Sequence, residues 1–353
     1  MTESTFDKEL YLKSLNLTDY LDHIDAIQPN KSLLYDIVKK HSQVIPYQNT
    51  GVYLATSTLD LSIKSLQERL LIKKLGGMCY ETSELLWHAL TSFGFKAYRT
   101  PATVLNNLPF NENAPRSHNI IIVFYENIKF LVDVGFGYNS IKEPLPFSFM
   151  KTEEVLVQGE KYVLTCEDSF YILSMERQNE LLTFYRFNKT VDSIPQFIDT
   201  DQTANFYATF INYPGLMRIR DRYILCGKTT EFGRIGFIYD NEEKTFKKLI
   251  FDKDNVTKIR LSGSDLSDYE DITDTLYKVE EDTTTLKGLG TKALEKHAND
   301  NKHKQCMPVC DKYALKTVVA PLTSPKVALC PQQLAKKAEI LWPVDVLLSK
   351  HSF

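Results

Sequence analysis

Apolar residues over the first hundred positions recur at helical spacing. Phe6, Leu10, Leu12 and Leu15 mark one amphipathic segment. Leu33, Leu34, Ile37 and Val38 mark a second, with Ser32 placed as an N-cap and Pro46 interrupting the chain beyond it. Ile63, Leu66, Leu70 and Leu71 predict a third helix over 63–75 that ends at Gly76-Gly77. A fourth begins at Cys79, carries Leu85, Leu86, Ala89, Leu90 and Phe93, and ends near Gly94. From Phe95 the period changes to that of strands. Residues 96–104 predict a strand broken at Pro101, and 105–117 a loop rich in Asn and Pro. Two strong strands follow at 118–125 and 128–134, then a loop over 135–146. Shorter strands are expected at 155–157, 162–165, 170–174 and 181–187, a spacing that suggests a small antiparallel barrel or curled sheet. Beyond Asp199 the pattern is mixed. Residues 205–212 read as helical or extended, 222–226, 234–239 and 246–251 as strands, and 268–277 as a helix. Residues 284–315 read as a weakly ordered extension, and 335–348 as a closing helix interrupted by Pro343.

Bulk properties narrow the function classes. The chain of 353 residues can hold two or three domains and a sizeable core. Its net charge of −3 lacks the basic character of a nucleic-acid binder, so no nucleic-acid partner is expected. Six cysteines are too few for a disulfide framework. The N-terminus has no apolar leader, and no run approaches a membrane span, so a cytoplasmic protein without a membrane partner is expected.

The stretch Lys74-Leu75-Gly76-Gly77-Met78-Cys79-Tyr80-Glu81 concentrates the candidate chemistry. Two glycines permit a tight turn, and Cys79 follows in or just before the first turn of a helix. Unpaired N–H groups and the helix dipole there favour a thiolate. The competing reading is a buried structural cysteine. The two strong strands supply possible partners. With a two-residue turn at Glu126-Asn127, residue 125 opposes 128 and Ile120 opposes Asp133. His118 and Asp133 then share a face as diagonal neighbours, within reach of an imidazole and a carboxylate. A three-residue loop would turn Asp133 away. Alternative roles are a loop-capping aspartate and a hydrogen-bonded structural histidine. Taken together, Cys79 as nucleophile, His118 as base and Asp133 as orienting carboxylate suit acyl transfer through an acyl-cysteine, with backbone N–H groups including that of Cys79 stabilising the oxyanion.

In order and spacing these residues resemble the arylamine N-acetyltransferases. That family's signature runs Arg-Gly-Gly-x-Cys-x-Glu, then a His opening a strand, then Asp-Val-Gly-Phe-Gly. The matching stretches are Gly76-Gly77-Met78-Cys79-Tyr80-Glu81, Ser117-His118-Asn119 and Asp133-Val134-Gly135-Phe136-Gly137. Ile45-Pro46-Tyr47-Gln48-Asn49 resembles the family's Val-Pro-Phe-Glu-Asn, and Gly94-Phe95 also sits where the family has it. The resemblance covers residues 5 to about 147 and fades beyond. It implies an α+β fold: a helical bundle over 1–95 with the catalytic Cys, an antiparallel β-barrel over 96–200 with His and Asp, an α/β lid over 201–283, and an extension over 284–353 of the kind seen in fungal-type members. It implies ping-pong transfer of an acetyl or related short acyl group from acetyl-CoA, a co-substrate with no bound cofactor, to an aromatic amine or hydrazine. By position, Tyr47 and Phe136 would line the acceptor pocket, Ser117 would flank the acyl site, and Tyr223 and Thr229 would contact CoA.

Two positions depart from the family pattern. Leu75 stands where the family has Arg, and Ser83 where it usually has Asn. The first departure predicts a Glu81 carboxylate without its usual cationic partner. Other functions stay open: a thiol hydrolase or transglutaminase-like amidase, which uses the same three groups, and a non-enzymatic remnant of the fold. His297, His303, Cys306 and Cys310 fit no strong zinc template, so no metal is expected.

Overall fold

The structure, a computed structural model, describes residues 5–49, 60–105, 116–148, 151–189, 223–240, 245–252 and 255–261. The chain divides into two compact units, residues 1–279 with 342–353, and residues 280–341; the described residues belong to the first. The expectations for 205–212, 268–277, 284–315 and 335–348, and the grouping of His297, His303, Cys306 and Cys310, lie outside the described residues.

The N-terminal part is helical. Helix α1 (Lys8–Ser14) is capped by Asp7, whose side chain accepts the Leu10 N–H at 2.8 Å. A 3₁₀ segment, Thr18–Ala26, follows and packs Tyr20, Leu21 and Ile24 against the helical core. Helix α2 (Lys31–Val44) starts two residues earlier than Ser32 suggests. Asn30 is the cap and accepts the Leu33 N–H at 2.9 Å, which places Ser32 inside the helix. Helix α3 (Ile63–Leu66) does not continue regularly to Leu75. It widens into a π-helical turn over Gln67–Ile72, closed by Lys73 N–H to Glu68 O at 2.8 Å and Leu75 N–H to Arg69 O at 2.9 Å. Helix α4 (Cys79–Ser92) begins at the cysteine itself.

Strand β1 (Tyr47–Gln48) precedes α3. Strands β2 (Lys96–Val104), β3 (His118–Tyr125), β4 (Ile128–Val132), β5 (Leu145–Phe147), β6 (Glu153–Val157), β7 (Glu160–Cys166), β8 (Phe170–Arg177) and β9 (Glu180–Asn188) form an antiparallel sheet. Its order is β5-β4-β3-β2-β9-β8-β7-β6. The two outer strands follow one another in the chain and lie close together, so the sheet curls into a nearly closed barrel. Pro101 does not break β2. It pairs opposite Asn119, and β9 begins to pair only at Ala102, so the missing N–H falls where the second edge is open.

Strands β10 (Tyr223–Thr229), β11 (Gly233–Asp240), β12 (Thr245–Asp252) and β13 (Asn255–Leu261) form an antiparallel meander, to which β1 adds as the outer strand. The described part of the expected lid is thus all β. Among the described residues, no helix is long and apolar enough to cross a membrane.

The β3–β4 hairpin divides two cores. Ile121, Val123, Phe130 and Val132 pack with the helices. Ile120, Ile122 and Leu131 fill the barrel with Tyr162, Leu173 and Phe184. Helix α4 lies on β2 and β3. Ser83 Oγ donates to Asn119 O at 2.8 Å, and Arg99 Nη1 donates to Glu84 Oε1 at 2.6 Å while its guanidinium lies over the Trp87 ring. The hydroxyl at 83 therefore fixes α4 to the strand that begins with His118.

The hairpin turn has the two-residue form expected. Tyr125 opposes Ile128 and Ile121 opposes Val132, with Glu126 (φ 47°) and Asn127 (φ 62°) both left-handed. A side chain at a left-handed position costs about 1–2 kcal/mol, less for Asn. Asn127→Gly is expected to raise the thermal midpoint by about 2–4 °C without changing the fold, as followed by circular dichroism.

Candidate active site

The hairpin register carries His118 and Asp133 to the barrel side of the sheet. His118 Nε2 and Asp133 Oδ2 are 2.8 Å apart, with side chains 2% and 1% exposed. The other carboxylate oxygen, Oδ1, accepts the Gly135 N–H at 3.0 Å. Asp133 thus orients the histidine and caps its own loop, so the two roles open in the sequence coexist. The imidazole lies against aromatic rings, with Phe136 and Tyr185 centroids at 5.0 and 5.1 Å. Burial alone would push this imidazole toward its neutral form. The charge and hydrogen bond of Asp133, joined by those of Cys79, outweigh it and raise the group from 6.5 to about 10. With Nε2 committed to Asp133, Nδ1 is the ring nitrogen left for the thiol.

Cys79 meets this pair from the helix side. It is the first residue of α4 and is 6% exposed. Its Sγ lies 3.7 Å from Ser117 O, so Ser117 flanks the sulfur through its backbone. Two glycines make the approach possible. A Cβ on Gly135 would come within 2.7 Å of Cys79 Cα and 3.0 Å of Thr82 Oγ1. A Cβ on Gly76, which has φ +68°, would come within 2.4 Å of Pro46 O. The Pro46 segment runs beside the glycines: Gly77 N–H donates to Pro46 O at 3.2 Å and Gln48 N–H to Gly77 O at 3.0 Å.

Tyr47 enters the site along this path. A Cβ on Gly137 would come within 3.6 Å of its ring, and its phenol is raised far above the usual range by burial first and then by the charge of the neighbouring Cys79. Phe136 contacts Phe184 and Tyr185 as well as His118. Cys79, His118, Asp133, Ser117, Phe136 and Tyr47 therefore come together. Tyr223 and Thr229 stand at the two ends of β10, and both are 1% exposed. Thr229 Oγ1 lies 2.8 Å from Ser42 Oγ, and Tyr223 O accepts Asn49 Nδ2 at 3.0 Å. In this arrangement they join the N-terminal segment to the second sheet.

The carboxylate of Glu81 is not orphaned by Leu75. The Arg69 guanidinium, from the π-helical turn, pairs with Glu81 Oε1, while Oε2 accepts the Met78 N–H at 2.8 Å. Burial raises the Glu81 carboxyl, and the Arg69 charge opposes that shift. Glu81 thereby holds the residue before Cys79 in place. Regular helical spacing gives no reason to turn Arg69 toward Glu81. One signal was present: Arg69 is the only arginine among residues 1–98.

Removing one partner of a buried pair costs about 3–5 kcal/mol. Arg69→Ala is therefore expected to lower the thermal midpoint by about 10 °C and to slow iodoacetamide labelling of Cys79, measured by peptide mass spectrometry. Leu75→Arg added to that variant should restore part of both.

These features can be set against known proteins. Residues 32–272 match the family model described as N-acetyltransferase. An arylamine N-acetyltransferase of Mycobacterium tuberculosis is 31% identical over 205 residues, spanning 56% of this chain and 69% of that protein. Arylamine N-acetyltransferase 2 of Rattus norvegicus is 23% identical over 297 residues, spanning 77% and 94%. The solved N-arylamine acetyltransferase of Mycobacterium smegmatis superposes with a TM-score of 0.64 at 20% identity, covering 83% of this chain and 98% of that one. The Mycobacterium marinum enzyme in complex with CoA gives 0.60 at 20% identity, covering 80% and 98%. At such identities the structural likeness establishes the α+β fold. With the family model matched over more than half of its length, the chain belongs to the arylamine N-acetyltransferase family.

Proposed function

We propose that this protein transfers an acetyl group from acetyl-CoA to an aromatic amine or hydrazine through an acyl-Cys79 intermediate. The observation that carries the reading is the placement of Cys79, at the start of α4, against the buried His118–Asp133 pair. In this reading His118 takes the Cys79 proton, and Asp133 stabilises the imidazolium. The thiolate attacks the thioester carbonyl. N–H groups at the helix start, which the helix leaves unused, receive the oxyanion. Collapse breaks the C–S bond to CoA, and the leaving thiolate takes the proton from His118. The amine then attacks the acyl-cysteine, passes its proton to His118, and releases the cysteine thiolate. The same reading sets the acceptor ring against Phe136 and Tyr47, which flank His118 and Gly137. A cytoplasmic location accords with it, since a free thiol nucleophile needs a reducing compartment.

Intact-mass spectrometry after mixing with acetyl-CoA and no acceptor tests the reading. An acetyl adduct is expected in the parent protein and not in Cys79→Ala. A protein that hydrolyses peptide amides but forms no adduct would move the assignment to the amidase class.

The raised His118 group also makes stability depend on pH. In the folded protein His118 keeps its proton to about 10, whereas the unfolded group loses it near 6.5. Its contribution is fully present below about 6.5 and is lost as the pH rises toward 10. Asp133→Asn removes the carboxylate that raises the group. The gap in thermal midpoint between the parent and this variant is therefore expected to narrow from pH 7 to pH 10 in a fluorescence melt.

A further inference from the structure

The β10–β13 meander has a small core of its own, and among the described residues it is completed from outside. Its buried apolar side chains are Tyr223, Leu225, Ile238, Leu249 and Phe251, and to these the loop after β4 adds Tyr138. Two glycines make the place for it. Gly227 on β10 and Gly236 on β11 stand directly opposite one another. A Cβ on Gly236 would come within 2.7 Å of Tyr138 Cδ1, and a Cβ on Gly227 within 2.9 Å of Tyr138 N. Glycine inside a strand weakens it and marks a close approach of other chain. The opposed pair leaves a notch, and Tyr138 fills it with both backbone and ring.

The fit is held from further directions. The Tyr138 ring stacks on Phe251, with centroids 5.2 Å apart and planes at 15°. Tyr138 O accepts Arg234 Nη1 at 2.8 Å. On the next residue, Asn139 Oδ1 accepts Arg177 Nη2 at 3.1 Å.

The loop that carries Tyr138 is closed on itself. Ile141 N–H donates to Asp133 O at 2.9 Å, and Ser140 N–H to Gly137 O at 3.2 Å. Ser140 Oγ accepts the Phe136 N–H at 3.0 Å and donates to Gly137 O at 2.9 Å. A segment braced in this way moves as a unit, so the seat of Tyr138 decides where its other end lies. That end is the reacting centre. Three residues before Tyr138, the Gly135 N–H supports Asp133 Oδ1 at 3.0 Å. Two residues before it, the Phe136 ring lies 5.0 Å from the His118 ring.

We infer that Tyr138 is a positioning residue for acyl transfer: its ring, seated against Gly236 beside Gly227, sets where this loop holds the Asp133 carboxylate and the Phe136 ring against His118. The inference rests on the acyl-Cys79 reading above. Tyr138 acts through Gly135 and Phe136, and it acts by the packing of its ring. A misplacement of about 1 Å at a reacting group can cost about 100-fold in rate, so a change in the second sheet reaches the chemistry along this loop.

Variants of the full chain test this by thermal midpoint, by the pH midpoint of Cys79 alkylation with iodoacetamide, and by the rate of Cys79 acetylation against acetyl-CoA concentration in intact-mass time courses. Tyr138→Ala empties the notch, Tyr138→Phe keeps the ring, and Ile238→Ala opens the same core on another residue of β11. Both alanine variants are expected to lose about 5–10 °C. Tyr138→Ala alone is expected to raise the alkylation midpoint, by about one pH unit, because a poorly supported His118 holds the thiolate less well. It is also expected to slow acetylation at saturating acetyl-CoA about tenfold or more, with the half-saturating concentration changed less than about twofold. Tyr138→Phe should return both readings to those of the parent. If Tyr138→Ala does not fold, Gly236→Ala, whose Cβ displaces the ring, takes its place. A ring-removing variant with the parent alkylation midpoint and acetylation rate, or an Ile238→Ala protein shifted as far, would overturn the inference. A parent protein that forms no acetyl-Cys79 would overturn the underlying reading, and this inference with it.

Discussion

An imidazole and a carboxylate buried together can persist only as a well-oriented, fully hydrogen-bonded pair, and the geometry of this protein is arranged around His118 and Asp133. Burial works against the charge on His118, and the carboxylate 2.8 Å away restores it. Asp133 is in turn satisfied by the Gly135 N–H, so neither partner is left with an uncompensated charge. Each requirement reaches back into the fold. The pair needs the β3–β4 register, which needs both left-handed turn residues, and it needs the loop after β4 to fold back so that Gly135 can donate.

The second requirement is that a sulfur be delivered to that pair from another element. Helix α4 brings Cys79 in at its first residue, where the backbone is richest in unused donors. Close approach rests on the absent side chain of Gly135, and the helix start rests on Glu81 bridging the Met78 N–H and the Arg69 guanidinium. The same logic of buried charge governs both sides of the site. Glu81 and Asp133 are each nearly inaccessible, each accepts a backbone N–H, and each faces one cation.

Much of this could be read from residue order because its causes are local. The hairpin register follows from turn length and alternation, and the start of α4 follows from Gly76-Gly77 and the apolar spacing after Cys79. The positions of Tyr47 and Phe136 came from resemblance rather than from spacing. What escaped the sequence depended on geometry that periodicity does not encode. The π-helical widening of 67–72 turns Arg69 toward Glu81 and supplies the cation that Leu75 cannot. Pro101 continues a strand because of where a distant strand starts to pair. Asn30 rather than Ser32 caps α2, a choice between two good capping residues that only the backbone angle decides. Tyr223 and Thr229 lie in packing against the N-terminal segment, a long-range contact invisible in a linear reading.

That contact sets an order of assembly. Strand β1 is two residues long and pairs with β10. Beside it, Asn49 binds Tyr223 O and Leu225 N–H at 3.0 and 2.7 Å, across 174 and 176 positions of chain. During synthesis the segment that carries Tyr47 leaves the ribosome long before its partner exists. A strand of two residues is too short to recruit another chain in that interval. The outer strand of the second sheet is consequently added from a segment made first and docked last, so the wall of the site that holds Tyr47 is completed only after most of the polypeptide has been made.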